Sequence, residues 1–277
     1  MIIYKNTFDN IMTIGYDFPT EDQYYANENE AIVADGITRD PIGISDFSKC
    51  TKQEFLEKYP RPSGAFLAAR EVCGTFANVT GSLVDRLVEA NRSVRVLNEK
   101  SIKECDYLEN DYYGTVASCV RIEDNILNYA YICDCGVIVY NKNGKIRFKT
   151  EDDKELYSDP YINKIGIPWN LPEARKKVRS EFRNNTNNIV DGKCISYGAL
   201  TGEDSAVNFI KSGQLKLEDG DTIVVYSDGF SCFLSEIEFI NNIINFNKDS
   251  FEKYIEEKAK GDYEKYKKEK TLVILKK

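Results

Sequence analysis

The sequence predicts an α+β fold, and three observations carry that prediction. Strand-like and helix-like stretches come in blocks, without the regular β-α-β alternation of a wound parallel sheet. One long block, 63–101, spaces its apolar residues three and four apart, while the stretches on either side alternate or run continuously apolar. At 277 residues and 42% hydrophobic, the chain is also long enough to bury a sizeable core.

Up to about residue 48, short alternating or apolar runs broken by TED, NENE and DPIG read as strands with loops. In 63–101 the spacing of Phe66, Ala69, Val72, Phe76, Leu83, Leu87 and Val94 predicts one long amphipathic helix, or two meeting near Gly81. The stretch 114–148 holds three strand-like runs separated by EDN and CDCG, and NKNG forms a hairpin turn into a fourth. Residues 149–193 are polar and irregular and read as a surface insertion with a short helix after Pro172. The basic residues of ARKKVRSEFR (174–183) mostly mark its solvated face. Then CISYGAL and DTIVVYSDGF read as strands, SEIEFINNIINF and DSFEKYIEEKAKGDYEKYKK as helices, and TLVILKK as a terminal strand. No repeat, proline-rich linker or low-complexity tract divides the chain, so 1–277 reads as a single domain.

Composition narrows the chemistry. The eight cysteines are scattered, mostly inside apolar runs, and nothing at the N-terminus resembles a signal segment, so reduced thiols in a cytoplasmic protein are expected. Only Cys133 and Cys135 are spaced like a metal clip; they lack a second pair, and strand alternation points them to the same side. No apolar run approaches the roughly 20 residues of a membrane span. A net charge of -8 disfavours wide contact with nucleic acid. The chain contains no histidine, which removes Ser-His-Asp and Cys-His catalysis and every imidazole zinc site. Carboxylates are the surplus.

Two of them end buried-looking strands in the same way: Asp35 in AIVADG and Asp228 in TIVVYSDG. The strand holds each acid rigidly and the glycine permits close backbone approach. Packed together they repel, and a hard divalent ion is the natural neutraliser; magnesium or manganese suits an all-oxygen site. Glu21 and Asp22, in TEDQYY, precede Asp35 by a distance that a hairpin returns. Asp134 interrupts the apolar stretch YICDCGVIVY.

The ordered set TED (20–22), ADG (34–36), YGT (113–115), ICDCGVIVY (132–140), GALTGE (198–203) and GDTIVVYSDGF (220–230) resembles the metal-dependent serine/threonine protein phosphatases of type 2C, the PPM family. The resemblance spans nearly the whole chain, with 149–193 falling where such proteins carry a variable flap. It implies a four-layer α-β-β-α sandwich: two central antiparallel sheets flanked by helices, with two or three Mn2+ or Mg2+ ions at one end. It further implies that Glu21 ligates one ion, that Asp22 holds a water on it, and that Asp35 bridges two ions. The Gly36 carbonyl is a further implied ligand, Asp228 binds the other ion, and Asp134 helps hold a third. The implied activity is hydrolysis of phosphoserine and phosphothreonine in a phosphorylated protein substrate by a metal-activated water, with no membrane or nucleic-acid partner.

The departures bear on that activity. In KKEKTLVIL, Lys268 stands where the family's metal-binding aspartate is expected, with Glu269 beside it. Either Glu269 reaches the metal, or the Lys268 ammonium replaces an ion and leaves a weak or inactive pseudophosphatase that binds a phosphoprotein. Asp17 occupies the place of the family's phosphate-binding arginine, and Arg39 is the substitute cation; GIT stands where some relatives carry a histidine general acid.

Overall fold

Strands that are apolar on both faces have to be covered on both sides, and the architecture follows from that requirement. The structure, a computed structural model, describes residues 2–8, 20–39, 51–59, 61–108, 110–167, 171–266 and 268–277; Asp17 lies outside them. In chain order the elements are β1 (Ile2–Phe8), β2 (Gln23–Ala26), β3 (Glu30–Gly36), α1 (Lys52–Lys58), α2 (Gly64–Asn78), α3 (Leu83–Ser101), β4 (Thr115–Glu123), β5 (Ile126–Ile132), β6 (Gly136–Tyr140) and β7 (Ile146–Lys149). A π-helical turn, Lys154–Ser158, leads into α4 (Asp159–Ile165). There follow α5 (Pro172–Phe182), β8 (Ile189–Val190), β9 (Lys193–Cys194), β10 (Lys211–Lys216), β11 (Thr222–Tyr226), α6 (Ile237–Ile244), α7 (Lys248–Gly261), α8 (Tyr263–Tyr266) and β12 (Lys270–Lys276).

Two five-stranded antiparallel sheets, ordered β1-β12-β11-β6-β7 and β10-β5-β4-β3-β2, face each other, which is the expected sandwich. Alternation assigns each strand residue to a layer. Val33, Val137, Val225 and Val273 fill the space between the sheets. Their neighbours Ile138, Val224 and Leu272 turn outward under α6 and α7, and Ile32 and Ala34 turn outward under α2 and α3. The long amphipathic stretch is two helices. Ser63 caps α2, and a Ser82–Asp85 capping box starts α3. Gly81, between them, has φ +131.

Three expectations about local structure are corrected. CISYGAL is not a strand: only Lys193–Cys194 pairs with β8, and Tyr197 and Leu200 make isolated bridges. The strand β10 has no counterpart in the pattern reading, because KSGQLK is a polar edge strand with no buried residue to set a period. Cys133 and Cys135 flank the β5–β6 turn rather than sharing a strand, and Cys133 has φ 67. Seven cysteines are free thiols among the described residues.

Candidate functional site

Antiparallel pairing brings all the expected acids to one end of the sandwich. Gln23 pairs with Ala34, so the start of β2 lies beside the end of β3. Asp35 pairs with Val116 and Ala117 with Ile132, placing the β5–β6 turn alongside. In the other sheet Tyr226 pairs with both Gly136 and Leu272, so Asp228, Asp134 and the segment before β12 meet there.

Both Asp-Gly pairs are in close contact with a second protein segment. A Cβ on Gly36 would lie 2.8 Å from the Ala65 carbonyl and from the Glu21 oxygen. A Cβ on Gly229 would lie 2.0 Å from the Glu269 carbonyl oxygen. Each glycine therefore lets a second backbone pass against the loop that carries the acid. Thr115, from the YGT motif, donates its hydroxyl to the Asp35 carbonyl at 2.6 Å, fixing the end of β3.

Asp35 is the hub. It is in carboxyl–carboxyl contact with both Asp22 and Asp228. Burial, followed by the charges of Asp22, Asp228, Asp134 and Glu269, pushes its carboxyl well above the usual range. Asp22 is pushed up to about 7, chiefly by burial and against the hydrogen bond from Ser227. The Ser227 hydroxyl donates to Asp22 at 2.7 Å and accepts from the Thr271 amide at 2.9 Å, tying β2, β11 and β12 together at this point.

Asp228 behaves in the opposite way. Burial alone would raise its carboxyl, but the charges of Lys268 and then Lys154 hold it below the usual range. The Lys268 ammonium donates to Asp228 at 2.7 Å, and Lys154 donates to Asp134 at 2.9 Å. Glu269 faces the other way: its carboxylate accepts the backbone amides of Glu21 at 2.8 Å and Asp22 at 2.9 Å, and burial pushes it up to about 8. Glu21 is buried and saturated with hydroxyl donors. It accepts from Thr38 at 2.6 Å and through short bonds from Tyr59 and Ser63, and burial raises its carboxyl. The two acids thus position the turn that carries Asp22.

Arg39 lies beside Tyr113, its guanidinium 4.9 Å from the ring centroid, and its Nε is buried with no hydrogen-bond partner among the described residues. Two basic residues of the 174–183 stretch are buried rather than solvated. Arg183 clasps Asp111 through both terminal nitrogens, and Arg179 also reaches it and donates to the Thr38 carbonyl at 3.0 Å. Burial would raise the Asp111 carboxyl, and Arg183 outweighs it and holds it low. The insertion is thereby bolted to the loop beside Glu21.

Sequence reasoning missed Lys154, Tyr59, Ser63, Thr38 and Ser227. Ser227 was the accessible one, since it precedes the strand-ending Asp228; the others carry no pattern of their own.

Among the described residues no three carboxylates or thiols stand as a ready coordination set. The donors still fit one hard cation, because Asp22, Asp35 and the Gly36 carbonyl offer oxygens and, among the described residues, the two acids have no cationic partner of their own. They do not fit a second ion at Asp228. An ammonium has no lone pair to offer, and Lys268 already holds that carboxylate.

The whole-chain comparison agrees with the fold. The chain is similar to the Mycobacterium tuberculosis serine/threonine phosphatase PstP/Ppp, with 16% identity and a TM-score of 0.59, covering 99% of this chain and 98% of that one. The PstP catalytic domain in complex with two manganese ions has a TM-score of 0.58 at 16% identity, covering 98% and 95%. The S. agalactiae serine/threonine phosphatase has a TM-score of 0.55 at 16% identity, covering 99% and 98%. No family model and no curated sequence matches. The chain has the PPM-type phosphatase fold. No helix among the described residues is long and apolar enough to cross a membrane.

Proposed function

We propose that the chain is a divalent-cation-dependent phosphatase acting on phosphoserine and phosphothreonine in proteins. The observation that carries this reading is the meeting of Asp22, Asp35 and Asp228 at one end of the sandwich, with Asp35 touching both others. The phosphatase neighbours support the substrate class. The residues that hold the ion in this reading are Asp35, Asp22 and the Gly36 carbonyl. When bound, the ion supplies a nucleophilic water at neutral pH and neutralises charge on the phosphoryl oxygens.

The chain's own groups do the rest. Ser227 donates to Asp22 at 2.7 Å and fixes the direction in which that carboxylate faces. Lys154 and Lys268, on the Asp134 and Asp228 side, place two ammonium groups where a dianionic phosphate needs countercharge. Arg39, beside Tyr113, is a third cation.

A second reading, a phosphoprotein-binding pseudophosphatase, is favoured by one observation: Lys268 holds Asp228, and Glu269 is turned to the Glu21 and Asp22 amides. One experiment separates the two. An aryl phosphate and a phosphothreonine peptide are assayed with saturating manganese, native beside Asp35→Asn. Turnover that Asp35→Asn abolishes supports the enzyme; peptide binding without turnover supports the binding module.

A further inference from the structure

We propose that Lys268 is a tethered counter-ion standing in for one divalent ion, so that the native cleft retains a single ion at Asp35. The inference rests on the reading of this cleft as a cation site and specifies how many ions it takes.

Three features fix the arrangement. First, Lys268 and Glu269, which lead into β12, reach different partners. Lys268 Nζ lies 2.7 Å from Asp228, while Glu269 accepts the Glu21 amide at 2.8 Å. Second, the register is locked. Tyr226 pairs with Leu272, the Ser227 amide donates to the Thr271 carbonyl at 3.0 Å, and Gly229 leaves no room between its backbone and Glu269. Bringing Glu269 round to Asp228 would break its amide bonds and that packing together. Third, the remaining charge is unevenly spread. Asp228 and Asp134 each have an ammonium partner, whereas among the described residues Asp22 and Asp35 have none.

The lysine is also suited to act as a tethered ion. Its side chain is 63% exposed and reaches a carboxylate that is 21% exposed, so it comes in from the solvent side. An aspartate at the same position would put a third carboxylate beside Asp228 and Asp35 and complete an oxygen set for a second ion. Methionine there would remove the charge and supply no oxygen.

The test is manganese titration of the metal-free chain by calorimetry, with electron paramagnetic resonance on the loaded protein and no substrate present. Native protein and Lys268→Met are expected to take up about one ion per chain. Lys268→Asp is expected to take up about two, with the exchange-broadened signal of ions roughly 3.5–4 Å apart. Thermal midpoints of the metal-free proteins confirm folding, and if Lys268→Asp is unfolded the native stoichiometry alone decides. Two ions in the native chain, or the same non-zero count in native and Lys268→Asp, overturn the inference while leaving the cation site intact. No uptake by any of the three overturns the cation reading itself.

Discussion

The two aspartates that precede a glycine at the ends of β3 and β11 have opposite electrostatic fates. Asp35 ends β3 among other carboxylates, and burial and repulsion push its carboxyl up. Asp228 follows β11 by two residues in the same cleft, yet Lys268 and Lys154 hold it down. Strand, aspartate and glycine therefore build the position of an acid, and whatever stands across from it decides its charge. On one side of the cleft the chain supplies its own cations, and on the other it leaves a place for one.

The largest effect should come from removing the acid at the hub, Asp35. Asp35→Asn is expected to lower manganese-dependent hydrolysis of an aryl phosphate by at least about 100-fold; retained turnover would mean that the hub is not where the ion acts. Next is the packing that holds the paired side. Gly229→Ala is expected to destabilise the fold by about 3 kcal/mol or more in denaturant unfolding, because its Cβ would lie 2.0 Å from the Glu269 carbonyl oxygen. An unchanged midpoint would show that the loop is free to move.

The pH dependence sharpens the contrast. Asp22 at about 7 and Glu269 at about 8 lie above the unfolded values of 3.8 and 4.5. Between those limits the folded state binds more protons than the unfolded one. Their stabilising contribution is thus complete below about pH 4 and is lost as pH rises through 7 to 8. The metal-free chain should fall by several degrees in thermal midpoint between pH 5.5 and 8, on the order of 2–4 °C per kcal/mol, and saturating manganese should remove the fall. The smallest effect is expected at Glu269. Glu269→Gln keeps an oxygen for the Glu21 and Asp22 amides, so hydrolysis should drop by less than about tenfold, well short of Asp35→Asn. An equal loss at both positions would make Glu269 a ligand.

Much of this was legible in the sequence. Separate blocks of strands and helices announced a layered α+β fold, and ADG and SDG announced where the acids sit, because a strand end followed by glycine is a local pattern. The hairpin return of Asp22 to Asp35 was legible from spacing alone. What each acid touches was not. Glu21 with its three hydroxyls from Thr38, Tyr59 and Ser63, and Lys154 on Asp134, are contacts between distant segments that leave no periodic trace. Arg179 and Arg183 read as surface charges because their partner, Asp111, lies some seventy residues earlier. Lys268 was visible as a misfit, but the direction it faces is set by strand register.

The central claim is that the acids around Asp35 form a cation site, and their charge must then cost stability until an ion arrives. Manganese-dependent thermal shift of native protein and Asp35→Asn at pH 8 tests this most directly. Metal-free Asp35→Asn should melt above metal-free native protein, and manganese should raise the native midpoint while leaving the variant nearly unmoved. A native midpoint indifferent to manganese, with Asp35→Asn melting no higher than native, would contradict the account.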